Sequence, residues 1–200
     1  SEVLFKTGYS YFQLKDNTNA LRYFNGVKKE PNQYKADAHY YAGFIAMEQA
    51  NYPQAISDFK EADKVQFYAN KVPYMLAGVY YRQGSYDELI AYAEPVLANR
   101  RSLDRKEEIH LYLAEAYFEK REFPKAANNY DAFVNARKGN LSKAQIYKAG
   151  ISQFEIQNYQ RATDYFKISA VDNDEIGQVS SYYLGHSYMK LNNPQFAANS

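Results

Sequence analysis

The sequence has no cysteine and no tryptophan in 200 residues. Without cysteine there is no disulfide framework, no thiolate chemistry and no cysteine-based metal site. The compartment is left open by that absence. Net charge is only +1, so nothing biases the surface toward nucleic acid or anionic lipid. No apolar run approaches the roughly 18 residues of a spanning helix, and direct membrane insertion is not expected. The opening SEVLFKTGYS lacks the basic region and apolar block of a signal peptide; that suits a cytosolic chain, or one whose leader is removed or lies outside this stretch. There is no HExxH, no GxSxG and no glycine-rich phosphate loop. The expectation is a protein that is not an enzyme and binds no cofactor and no metal.

What the chain has in excess is tyrosine, 22 residues beside 12 phenylalanines. Tyrosine combines a flat apolar body with a polar tip, which suits half-buried surfaces. Small residues recur with it. Gly8 and Ala20 are twelve apart, as are Gly43 and Ala55, Ala77 and Leu89, Ala114 and Ala126, Gly150 and Ala162, and Gly185 and Ala197. An aromatic follows at Phe24, Phe59, Tyr130 and Phe166, with Ala93 in the third copy. Successive copies are offset by 34 to 37 residues, the period of helical-pair repeats.

Each copy reads as two helices, A then B, joined by the tight turns KDNTN, QANYP, RQGSY, KREFP, IQNYQ and LNNPQ. Pro53, Pro124 and Pro194 fall in the first turn of a B helix, where a missing N–H is harmless. Two helices crossing at 8–10 Å need small residues at their closest point, and Gly43 facing Ala55 would supply it. Phe59, one turn further on, would then fill the space toward the next copy. The third copy is the least regular. Pro95 lies inside its B helix, where it removes a backbone hydrogen bond and should kink the helix. The stretch ANRRSLDRK that follows is locally basic.

The pattern resembles the tetratricopeptide repeat, whose signature places small residues at positions eight and twenty and large ones at eleven and twenty-four. The eleventh-position residues here are Tyr11, Ala46, Tyr80, Tyr117, Gln153 and Tyr188. The resemblance implies an all-α, right-handed superhelical solenoid of antiparallel helix pairs. It covers the whole chain as one array: repeats 1–35, 36–69, 70–106, 107–142 and 143–177, and a truncated sixth over 178–200. The last residues NPQFAANS stop midway through a B helix, and neither end reads as the polar cap that closes a solenoid. The expectation is a piece of a longer repeat protein, or open ends that self-associate or are covered by another chain.

In the resembled family the A helices line a concave groove. Transferred by position, the groove residues here are Phe5, Tyr9, Tyr40, Tyr41, Phe44, Tyr74, Tyr81, Arg82, Tyr112, Glu115, Tyr147, Lys148, Tyr182 and His186. About half are expected to pack between helices, with Tyr9, Tyr41, Phe44 and Tyr112 the better contacts. One family subtype grips the C-terminal carboxylate of chaperones with Lys at position five and Asn at nine; Phe5 and Tyr9 stand there, so that role is not expected.

The resemblance implies a non-catalytic scaffold binding a peptide or protein segment in the aromatic groove. The alternative is a structural subunit of a bacterial envelope assembly acting through repeat ends or its convex face. HYYAGFIAMEQANYPQAISDF and SYYLGHSYMKLNNPQFA loosely resemble repeats of cell-envelope proteins, including outer-membrane assembly lipoproteins. That likeness implies the periplasm, with the cytoplasm as the alternative. His39 and His110 share a repeat position two copies apart, about 20 Å at ~10 Å per helical pair, too far to share a metal. They and His186 read as packing or surface residues. Asp172, Asp174 and Glu175 read as a solvated loop. Arg100, Arg101, Arg105 and Lys106 form the one basic cluster, a solvated loop or a contact for an acidic partner.

Overall fold

At the fifteenth position of every repeat the backbone turns left-handed: Lys15 (φ 59°), Ala50 (56°), Gly84 (72°), Arg121 (61°), Gln157 (62°) and Asn192 (57°). The hydrogen bonding around each is the same. The Ala50 N–H donates to the Met47 carbonyl at 3.1 Å, and the Asn51 N–H donates to the Ala46 carbonyl at 2.8 Å. This double bond pattern, repeated in all six turns, is the Schellman motif that ends a helix by satisfying its last carbonyls. A left-handed conformation costs a side-chain-bearing residue roughly 1 kcal/mol, and only Gly84 avoids that cost. We expect Ala50→Gly to raise unfolding stability by about 0.5 kcal/mol, net of glycine's greater unfolded-state entropy, and Gly84→Ala to lower it by about 1 kcal/mol. Paired denaturant titrations check the opposite signs.

The computed structural model describes residues 1–100, 102–136 and 139–193. Among them are eleven α-helices and no strand. The A helices are α1 (Glu2–Gln13), α3 (Lys35–Glu48), α5 (Val72–Gln83), α7 (Lys106–Glu119), α9 (Lys143–Glu155) and α11 (Glu175–Lys190). The B helices are α2 (Asn17–Lys28), α4 (Tyr52–Asp63), α6 (Tyr86–Asn99), α8 (Phe123–Ala136) and α10 (Tyr159–Ser169). Pro53 and Pro124 sit in the first turns of α4 and α8 as expected. Asp16 caps α2 by accepting from the Asn19 N–H at 3.1 Å, and Ser142 opens α9 with a reciprocal capping box. Helix α6 runs on through Pro95 to Asn99, whose side-chain amide donates to the Pro95 carbonyl at 2.8 Å. Pro194, Ala197 and the second helix of the sixth repeat lie outside the described residues.

Gly8, Gly43 and Gly150 close against the rings of Phe24, Phe59 and Phe166. A Cβ on Gly43 would sit 2.9 Å from the Phe59 ring, and one on Gly150 would sit 2.6 Å from the Phe166 ring. The Phe59 ring lies on the glycine of its own repeat and is wholly buried; at the same repeat position Phe24 stacks on Tyr41 and Phe166 on Tyr183, both of the next repeat, at 5.9 and 5.6 Å. A glycine in a helix costs about 1 kcal/mol; burying a phenylalanine ring returns about 2.

The chain divides into two units, Ser1–Ile109 and His110–Ser200. In the first, α2 packs against α1 and α3, α4 against α3 and α5, and α6 against α5. Ala20, Phe24 and Val27 of α2 meet Ala38, Ala42 and Ile45 of α3. In the second, α9 packs on α8, α10 and α11. Ile151, Ala162, Phe166 and Leu184 form the centre.

Candidate protein-binding site

Helix α1 places Phe5, Tyr9 and Phe12 on one face by the i, i+4, i+7 rule. Helix α3 brings Tyr41 and Phe44 beside them. Ring centroids are 5.2 Å apart for Tyr9–Tyr41 and for Phe12–Tyr41, and 5.9 Å for Phe12–Phe44. Tyr41 is the keystone, because its ring also stacks on Phe24 at 5.9 Å. Burial, then the neighbouring Tyr9, pushes its hydroxyl pKa up to about 12. Tyr9 is 36% exposed, and its hydroxyl accepts from the Gln13 side-chain amide at 2.6 Å. Phe12 and Phe44 are half-buried. The outcome is a continuous aromatic surface whose rings are held in place by one another.

The remaining expected groove residues divide by role. Phe5 stacks on Tyr34 at 5.3 Å, and Tyr40 stacks on Tyr68 at 4.7 Å. Tyr34 and Tyr68 come from the links before α3 and α5. Aromatics in an inter-repeat link are the one sequence signal that marks them. Tyr74 lies under the Arg105 guanidinium at 3.9 Å. Tyr81 is half-buried and Arg82 is exposed.

In the second unit Tyr112 is half-buried. Glu115 is only 4% exposed. Its carboxylate accepts from the Tyr130 hydroxyl and the Lys148 ammonium, both at 2.8 Å. Lys148 also reaches Glu119 at 2.9 Å. Burial pulls the Lys148 pKa down, but the two carboxylates outweigh it and hold it above its usual value. Glu115 and Lys148 thus tie α7 and α8 to α9, and the Glu115 carboxylate is covered. Tyr147 packs with Phe166 and Tyr183 at 6.3 and 6.4 Å. Tyr182, 60% exposed, lies against half-buried His186 at 4.4 Å.

The basic stretch is used internally. Arg100 makes a bidentate pair with Asp63 at 2.8 and 2.7 Å and donates to the Ala69 carbonyl at 2.6 Å. Arg105 pairs with Glu108 at 2.8 Å, and Arg101 lies outside the described residues. His39 bonds Asp58 at 2.6 Å and His110 bonds Asn129 at 2.8 Å, each within its own repeat. Asp172 and Asp174 pair with Lys143 at 3.0 and 2.7 Å. No cluster of three or more His, Asp or Glu residues able to hold a metal ion occurs among the described residues. Nor is any helix among them long and apolar enough to cross a membrane.

A tetratricopeptide-repeat family model matches residues 2–32, the first helical pair and the link after it. The fold is the tetratricopeptide repeat. A tetratricopeptide repeat protein from Parabacteroides merdae ATCC 43184 superposes with a TM-score of 0.68 at 13% identity, over 99% of this chain and 76% of that one. YrrB, a TPR protein with an unusual peptide-binding site, superposes at 0.69 with 14% identity, covering 90% of each chain. A MamA RS-1 double mutant superposes at 0.67 with 13% identity, over 89% of this chain and 94% of that one. No curated protein matches the sequence. The tetratricopeptide assignment accounts for the recurring Gly and Ala at position eight and for the closing turn at fifteen. It leaves the ligand open.

Proposed function

We propose that this tetratricopeptide-repeat chain is a scaffold that binds a peptide or protein segment on the aromatic A-helix face of its first unit. Function on this reading is contact area and shape, with no chemistry. The observation that carries it is the interlocked set Tyr9, Phe12, Tyr41 and Phe44, whose outer rings are partly exposed. Rigid aromatics supply contact area at low rotamer cost and dominate binding hot spots. YrrB, alike in fold, carries a peptide-binding site, which supports the class of ligand and not its identity. Exposed Tyr182 and half-buried His186 form a smaller aromatic strip on the second unit.

Tyr41 is a poor residue to test, because it holds the rings around it. Tyr9 and Phe44 are better. Peptides selected from a displayed random library against the 200-residue chain should lose affinity at least about tenfold, ~1.4 kcal/mol, on Tyr9→Ala with Phe44→Ala. Unchanged affinity with unchanged circular dichroism would remove this face as the site. A second reading, a subunit of an assembly, draws on the exposed Val3 of α1 and Leu14 just after it; a sedimentation coefficient that rises with concentration would favour it.

A further inference from the structure

Helices α3 and α4 of the first unit, with the links that follow α2 and α4, line a cleft of about 410 Å³. Pro31, Lys35, His39, Glu61, Lys64 and Val65 face it. Its charges do not balance. Glu61 is the one acidic residue among the described lining residues, and it accepts from the Lys64 ammonium at 2.6 Å. That hydrogen bond, opposed by burial and aided by the nearby His39 and Lys35, holds the Glu61 carboxyl below the usual carboxylate range. Three nitrogen-bearing side chains thus converge on one carboxylate. The other carboxylate bonded to His39 is Asp58, only 3% exposed and already taken by Lys28 at 2.9 Å. Lys35 is left over. It is half-buried, and its ammonium makes no hydrogen bond or ion pair with any described residue. A partly desolvated ammonium without a counter-charge is unfavourable, and an entering anion would relieve it.

We propose that this cleft binds an acidic peptide segment of a protein partner, with an Asp or Glu carboxylate against Lys35 and a neighbouring apolar side chain over Val65. The charge surplus selects the anion and sets its register. Apolar surface adjoins it: Val65 is exposed, and so is Phe67, two residues further along the same link. The Lys71 ammonium, 4.3 Å from the Phe67 ring centroid, adds a further positive charge to that link. A segment that alternates acidic and apolar side chains satisfies both features. One surplus ammonium matches one carboxylate. A phosphate group carries nearly two charges and has nothing to set against Val65. The site uses none of Tyr9, Phe12, Tyr41 and Phe44 and does not rest on the aromatic-face reading.

The test is amide NMR of the nitrogen-15-labelled chain at constant ionic strength, titrated with N-acetyl-Glu-Leu-Glu-amide, its glutamine form N-acetyl-Gln-Leu-Gln-amide, and inorganic phosphate. Saturable shifts are expected at Lys35, Ala36, His39 and Lys64 with the acidic peptide. The glutamine form should bind about tenfold more weakly or worse, and phosphate should not saturate the site in the same range. Lys35→Glu, which reverses the surplus charge, should weaken the acidic peptide about tenfold or more. Glu61→Gln, which removes the competing carboxylate, should tighten it about threefold. A role confined to the fold would not move the two affinities in opposite directions. If Lys35→Glu does not fold, Glu61→Gln alone decides. Tyr9→Ala with Phe44→Ala should leave this titration unchanged, so the two sites fail independently. No saturable shift with the acidic peptide, equal binding of its glutamine form, equal saturation by phosphate, unchanged affinity in Lys35→Glu, or no tightening in Glu61→Gln would each overturn the proposal.

Discussion

Gly177→Ala is expected to destabilise the second unit by about 3 kcal/mol. A Cβ at this position would lie 1.7 Å from the carbonyl oxygen of Asp172 and 2.9 Å from its carbonyl carbon. Those are backbone atoms, so no side-chain rotation relieves the clash. The loop before α11 folds over the first turn of that helix, and three contacts hold it there. The Asp174 carboxylate accepts from the Gly177 N–H at 2.8 Å, and the Lys143 ammonium pairs with Asp172 and Asp174. Moving the loop away breaks the cap, about 1 kcal/mol, and the crowding itself costs about 1–3 kcal/mol. Urea titration measures the loss, and amide exchange should accelerate in α11. Gly26→Ala is the control. A Cβ there meets only Leu4 at an ordinary 3.7 Å, so helix propensity should raise stability by up to about 1 kcal/mol.

Asp58→Ala should cost the first unit about 3 kcal/mol. The Asp58 side chain is 3% exposed and accepts from Lys28 and His39 through one oxygen and from Gln54, at 2.8 Å, through the other. Removing the carboxylate strands the Lys28 ammonium without its counter-charge in a largely buried place, the costly way to break such a pair. Asp58→Asn keeps the shape and should lose less. Burial pushes the Asp58 pKa up, but hydrogen bonds from His39, Gln54 and Lys28 outweigh it and hold the group below the usual carboxylate range. Because the folded value is the lower one, the native state favours the ionised form. The stabilisation is complete above the unfolded pKa near ~4. It fades as pH falls through the folded value. Below about pH 4 the wild-type chain should therefore lose stability more steeply than Asp58→Ala.

The repeat was legible because it is written in local, periodic terms. Gly8, Gly43 and Gly150 recur with an aromatic at a fixed distance, and Pro53 and Pro124 mark helix starts. The left-handed turns were not legible as such. The backbone bonds at Ala50 or Arg121 impose that conformation on whatever residue stands there, and only Gly84 advertises it. The polar hubs were hidden for another reason. Gln153 departs from the large apolar residue of its position because its amide donates to Asp131 at 2.9 Å, across 22 residues of sequence. Glu115 fell on a groove position by register, yet Tyr130 and Lys148 cover its carboxylate. A one-dimensional pattern records which positions recur, and leaves unwritten which side chains reach between repeats.

A crystal structure of the chain bound to a library-selected peptide tests the binding reading most directly. The peptide is expected to lie across α1 and α3 with apolar side chains against Tyr9, Phe12 and Phe44. A peptide seated elsewhere, with Tyr9 and Phe44 still open to solvent, would contradict it.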